Sequence, residues 1–186
     1  MKRLVVGISG ASGMPIAAEV LRLLRDTEYE VHLIMTDSAR LTIPQETDLT
    51  PEDFCRLADV VYPIDAIGAA VSSGSFTTAG MLVVPCSMKT AAGIHSGYSD
   101  NLLLRAADVT LKEHRTLVLC ARECPLSPIH LRNLYELSLL GVRIIPPMLS
   151  YYTRPESVAE CTAQIAGKLL EPFGVETEEF HRWQGV

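Results

Sequence analysis

With 186 residues the chain can bury the core of one α/β domain. Its formal net charge of −6, with no basic run, argues against nucleic acid as a partner. Hydrophobic residues make up 48 % and mean hydropathy is +0.21, yet no stretch approaches the ~20 apolar residues of a membrane helix, so the apolar excess is assigned to contacts between subunits.

The first thirteen residues set the frame. Leu4, Val5, Val6 and Ile8 form a short apolar run suited to a strand buried on both faces. Gly7, Gly10 and Gly13, with Ser9 and Ser12 between them, follow as a small-residue loop, and Met14–Leu24 has helical spacing. Strand, glycine turn and helix start together read as an anion site, because backbone N–H groups and the helix dipole favour phosphate. A plain tight turn is the simpler alternative. The glycines and serines also break the apolar run, so Lys2 and Arg3 do not open a signal peptide.

Further along, Glu30–Met35 reads as a second strand. A helix is expected over Thr50–Ala58, with Thr50 as cap, Pro51 in the first turn, and Glu52 and Asp53 at the positive end. Val60 and Val61 begin a short third strand, and Met81–Cys86 is a fourth. Asn101–His114 is helical, Thr116–Ala121 a fifth strand, and Pro128–Leu140 a helix that Gly141 stops. Val142–Ile145 and Pro155–Leu170 supply a sixth strand and a last helix. Strands alternating with helices to the end predict a Rossmann-like, doubly wound parallel sheet of about six strands with helices on both faces, one domain over 1–186. Cys55, Cys86, Cys120, Cys124 and Cys161 are odd in number and form no C-x-x-C pair, and the five histidines lack ligand spacing. A reducing cytoplasm and no metal follow.

In such sheets the ligand sits beyond the carboxyl ends of the strands, at the topological switch point. The residues there are Ser9–Gly13, Thr36-Asp37-Ser38, Ser87-Met88-Lys89-Thr90, Arg122-Glu123, and Pro146–Thr153. Hydroxyls and cations on one edge suit a phosphate-bearing cofactor plus a second polar ligand. The cofactor is not NAD, since Ser9 stands where G-x-G-x-x-G needs its second glycine and Asp37 lies past the strand end. A Walker A sequence is absent as well.

GISGASG, QETD (45–48), SSGSF (72–76), PCSMKT (85–90), NLLLRAADVTLKEHR (101–115), ARECPLSPIHL (121–131) and RWQG (182–185) occur in order along nearly the whole chain. In these the sequence resembles the UbiX-type flavin prenyltransferases, also labelled Pad-type phenolic or aromatic acid decarboxylases. The resemblance implies FMN and transfer of a dimethylallyl group from dimethylallyl monophosphate to N5 and C6 of reduced FMN without a metal. A UbiD-type decarboxylase would use the product. It also implies a homo-oligomer, a dodecamer, whose active sites draw on neighbouring subunits.

Residue by residue, the resemblance gives FMN contacts to Gly10, Ala11, Ser12, Thr36, Ser87, Met88, Lys89, Thr90 and Arg122. Ser87 could instead be only a helix cap, and Thr36 a turn residue. Arg105 and Lys112, two helical turns apart on one face, would serve the donor phosphate with Arg122, Tyr152 and Lys168; a salt-bridged face with Glu113 is the plainer reading. Lys168 stands where many relatives have Arg, so charge is kept and the bidentate fork is lost. Glu123 is assigned as the acid for the leaving phosphate, and Glu46 with Ser12 to the N5 side. Trp183 would close over the site, with the C-terminal tail. Two other functions fit the same residues: an FMN-dependent decarboxylase acting directly, against which PCSMKT departs from the Asn-containing motif of that group, or a non-catalytic flavin carrier.

Overall fold

The structure, a computed structural model, describes residues 2–185. Its strands are β1 (Lys2–Ile8), β2 (Tyr29–Met35), β3 (Val60–Tyr62), β4 (Gly80–Cys86), β5 (Thr116–Ala121) and β6 (Arg143–Ile144). All pair in parallel, in the order β3-β2-β1-β4-β5-β6. The helices are α1 (Met14–Leu24), α2 (Asp37–Glu46), α3 (Pro51–Arg56), α4 (Met88–His95), α5 (Leu102–Lys112), α6 (Pro128–Leu139) and α7 (Val158–Leu170). The expected fold class is the one observed.

Strand periodicity explains why both faces are apolar. Leu4, Val6 and Ile8 of β1 join the core under α1 and α7, and Val5 points into the other core, under α4 and α5. In β4, Leu82 and Val84 go to the first core, Met81 and Val83 to the second. Each such Leu or Val removed from water contributes about 1.5–3 kcal/mol. Cys86 and Cys120 lie inside these cores, where burial pushes the Cys120 thiol up to about 12.

Element ends follow the caps. Thr50 and Asp53 close a capping box on α3, Asn101 caps α5, and Ser127 caps α6. The last helix begins at Val158, because Ser157 caps it by accepting from Glu160 N–H; it does not reach back to Pro155. The sixth strand has two residues, not four. The main correction is α2. Sequence patterning puts Thr36–Ser38 and the TIPQETD stretch in loops, whereas 37–46 is helical and Glu46 is its last residue. The helix buries only Ala39 and Ile43 and contains Pro44, so it has almost no apolar stripe to read; the Thr36 hydroxyl, accepting from Ala39 N–H at 3.1 Å, starts it.

Candidate active site

β1 lies at the centre of the sheet. Connections from it run one way through β2 and β3, and β4 then starts the other half on its opposite edge, so the switch point is the β1–β4 junction. Ser9, 1 % exposed, ties the two strand ends together there. Its hydroxyl donates to the Pro85 carbonyl at 3.0 Å and accepts from Ser87 N–H at 2.8 Å. A cavity of about 430 Å³ opens above this junction, bordered by Ser9, Gly10, Thr36, Ser38, Ser87, Lys89 and Thr90 and backed by the α4–α5 pair.

Two helix starts meet at this cavity. Thr36 caps α2, and Ser87 caps α4 by accepting from Thr90 N–H at 3.2 Å while donating to the Thr90 hydroxyl at 3.1 Å. Capping therefore does occur at both residues, and both first turns border the cavity with N–H groups that the helices themselves leave unpaired. Gly10 closes against α2: a Cβ there would sit 2.3 Å from that of Ser38. The loop and helix thus come as close as backbone allows, leaving a groove that a phosphate and a polyol chain can enter. A mononucleotide with one phosphate fits this donor set.

The start of α1 is not available to a phosphate, which corrects the reading of the first glycine turn as the anion site. The Glu46 carboxylate accepts from Gly13 N–H at 2.8 Å and Met14 N–H at 2.9 Å. Burial pushes this carboxyl up, but those two N–H groups, the Ser12 hydroxyl and the Arg122 charge outweigh it and hold it below the ordinary carboxylate range. Ser12 and Arg122 thus belong to the surroundings of Glu46. Neither they nor Ala11 line the cavity, and the Met88 side chain is buried in the core.

The remaining candidates fall in three other places. Arg105 donates to the Ser72 carbonyl at 3.2 Å and pairs with Asp108, and Lys112 pairs with Glu113 against Gly74. Both reach the SSGSF loop, as a shared helix face requires, and both are held by protein partners in the single chain. Arg115 also staples this loop, donating to the Gly74 carbonyl at 2.6 Å and the Phe76 carbonyl at 2.9 Å. Glu123 is exposed, accepts from Cys124 N–H at 3.0 Å, and among the described residues makes no ion pair with Arg122.

Tyr152, Lys168 and the tail form the third group. They border a separate cavity of about 260 Å³, whose apolar wall is Ile145, Pro146, Met148, Ile165 and Phe180. Trp183 meets Tyr152 edge to face, with ring centroids 5.6 Å apart. Sequence reasoning missed Ser9 and Ser38 as lining residues, and Gln164 here. The first two fall within stretches the strand-end rule already marks; Gln164 gives no signal beyond lying four residues before Lys168.

Comparison with known proteins agrees with this geometry. The Flavoprotein family profile matches residues 1–168. The chain is 51 % identical over 185 residues to a probable UbiX-like flavin prenyltransferase of Sedimentibacter hydroxybenzoicus, covering 99 % of this chain and 98 % of that protein. It superposes with a TM-score of 0.97 on AnUbiX (PadA1), crystallised in complex with FMN and dimethylallyl pyrophosphate, at 48 % identity over 100 % of this chain and 98 % of that one. A dodecameric FMN-dependent UbiX-like decarboxylase from Escherichia coli O157:H7 gives a TM-score of 0.97 at 47 % identity, covering 98 % of this chain and 100 % of that one.

Proposed function

The chain belongs to the UbiX-like flavin prenyltransferases, and from that premise we propose that it joins a dimethylallyl group, carried by dimethylallyl monophosphate, to N5 and C6 of reduced FMN. The observation that carries this is the cavity at the β1–β4 junction, where two capped helix starts offer N–H groups to a single phosphate. Reduced FMN supplies the electron-rich N5 and C6 positions. Gly10, Thr36, Ser87, Lys89 and Thr90 hold its phosphate and ribityl chain, with Ala11, Ser12 and Arg122 at the loop edge. Glu46 keeps the Ser12 hydroxyl oriented on the N5 side.

As the donor's C–O bond breaks, the phosphate leaves and takes a proton from Glu123, while Arg105, Lys112, Tyr152 and Lys168 neutralise its charge. In one chain these four residues do not line the flavin cavity, which supports assembly as a dodecamer, one copy's tail completing another copy's site and desolvating Glu123. The 186 residues act as one unit with the tail over the site. A UbiD-type decarboxylase consumes the product. Among the described residues no helix is long and apolar enough to cross a membrane, and we place the enzyme in the cytoplasm.

The test is anaerobic incubation with reduced FMN and dimethylallyl monophosphate, with the pyrophosphate in parallel, followed by the flavin's mass and spectrum. A flavin heavier by one dimethylallyl group is expected with the monophosphate. Unchanged flavin with both donors refutes the proposal. One solved relative carries the word decarboxylase in its name, so the same preparation is also given aromatic acids: CO₂ release by the isolated chain would make direct decarboxylation the function instead.

A further inference from the structure

We propose that Gln164 is a positioning residue for the prenyl donor: its side-chain amide fastens the C-terminal tail at His181 and so sets the wall of the cavity beside Lys168. The proposal rests on assigning that cavity to the donor. Gln164 lies on α7 and is 6 % exposed, with Ile145, Met148 and Phe180 on the same cavity wall. A glutamine amide buried in such company is costly unless both its ends are paired. Here they are. The Gln164 Oε1 accepts from His181 N–H at 2.9 Å, and Nε2 donates to the His181 carbonyl at 3.0 Å. An amide side chain can satisfy one residue's N–H and C=O together; an ionised carboxylate or an ammonium cannot.

The same helix face makes the other contacts with the tail. Gln164, Gly167, Lys168 and Glu171 are spaced i, i+3, i+4 and i+7. Gly167 admits Phe180, since a Cβ there would stand 2.4 Å from that of Phe180. Glu171 pairs with Arg182 of the tail and with Lys168 at once. The Tyr152 hydroxyl donates to the His181 carbonyl at 3.1 Å, and the Gln164 Nε2 reaches that hydroxyl at 3.4 Å. Tyr152 and Lys168, the two polar groups assigned to the donor, are therefore both oriented through residues that also grip the tail. Among the described residues, 175–185 contain no helix or strand, so side chains, and not a backbone ladder, decide where this segment lies.

Trp183 is the one tryptophan in the sequence, which makes tail docking measurable without turnover. In the full-length oligomer, Gln164→Leu keeps the volume and removes both hydrogen bonds; Gln164→Glu keeps the acceptor and loses the donor. Acrylamide quenching of Trp183 should rise in Gln164→Leu and less in Gln164→Glu. The KM for dimethylallyl monophosphate should rise about tenfold, the scale of one or two net hydrogen bonds, with kcat changed less. FMN affinity should stay at wild type. Gly167→Ala, which displaces Phe180 while sparing the amide, should move quenching and KM in the same direction and serves if Gln164→Leu does not fold. Unchanged quenching, or a KM that stays at wild type while quenching rises, overturns the proposal, as does FMN affinity falling in parallel. A clamped Trp183 in a wild-type protein that transfers no prenyl group overturns the assigned function and leaves the clamp standing.

Discussion

At the β1–β4 junction every polar contact lies within a few residues of a strand end or a helix cap: Ser9 on Pro85 and Ser87, Thr36 on Ala39, Ser87 on Thr90. Beyond β6 the second cavity is framed by irregular chain, and its polar residues are placed by long side chains, the Gln164 amide and the Glu171 carboxylate. The first region inherits its geometry from the sheet, whose strands are buried on both faces. The second depends on a handful of contacts that could be remade without disturbing the core. The lesson is a division of labour: contacts at the β1–β4 junction are fixed by folding itself, and those around the second cavity are adjustable.

Mutations can break or sharpen that contrast. The largest effect is expected at Glu123, which follows the end of β5. Glu123→Gln removes a proton donor at nearly constant shape and should lower kcat about 10²–10⁴-fold with FMN still bound. Single-turnover at saturating donor checks this; a wild-type rate would take the role of acid away from Glu123. Next is Lys168→Ala, on the adjustable side. Loss of one charge-assisted contact should raise the donor KM about 10–100-fold, with FMN affinity and melting temperature held. A loss of folding instead would contradict the contrast.

Gly10→Ala probes the fixed side. With Ser38 in the way, the loop and α2 must separate, at about 1–3 kcal/mol of stability and with weaker FMN binding; flavin fluorescence titration and a thermal melt report both. The smallest effect concerns acid. Glu46 is held below its ordinary value, so its contribution is present above the ordinary carboxylate pKa and fades as pH falls from there through the folded value. Glu46→Gln should be less stable than wild type at neutral pH and should lose less on acidification. Urea midpoints for the two proteins, which should converge below that folded value, measure it.

The same contrast explains what the sequence revealed. β1, β4 and β5 were legible because strands buried on both faces read as apolar runs, and α1 and α5 because one apolar face repeats along them. Ser87, Lys89 and Thr90 were found by their place after β4 alone. α2 was not legible, since two buried side chains and an internal proline leave no period. That omission hid the most informative local contact, because Glu46 seen in a loop gives no hint that it reaches the α1 turn. The tail contacts were illegible for another reason: nothing in the spacing of 164 and 181 says that an amide meets a backbone across them. Tyr152, Lys168 and Trp183 came from resemblance, not from pattern.

Glu46 at the start of α1 has a consequence for which nucleotides the fold can accept. Helices α1, α2 and α4 follow the carboxyl ends of the neighbouring strands β1, β2 and β4, and each is a natural seat for negative charge. The protein has already seated its own anion on one of them. A pyrophosphate laid across the first glycine turn, in the manner of dinucleotide-binding domains, would meet a like charge and two N–H groups already spoken for. Only α2 and α4 are left to offer theirs, side by side, which is room for a terminal monophosphate. A single carboxylate thereby closes one of the phosphate seats that this fold offers at the β1–β4 junction.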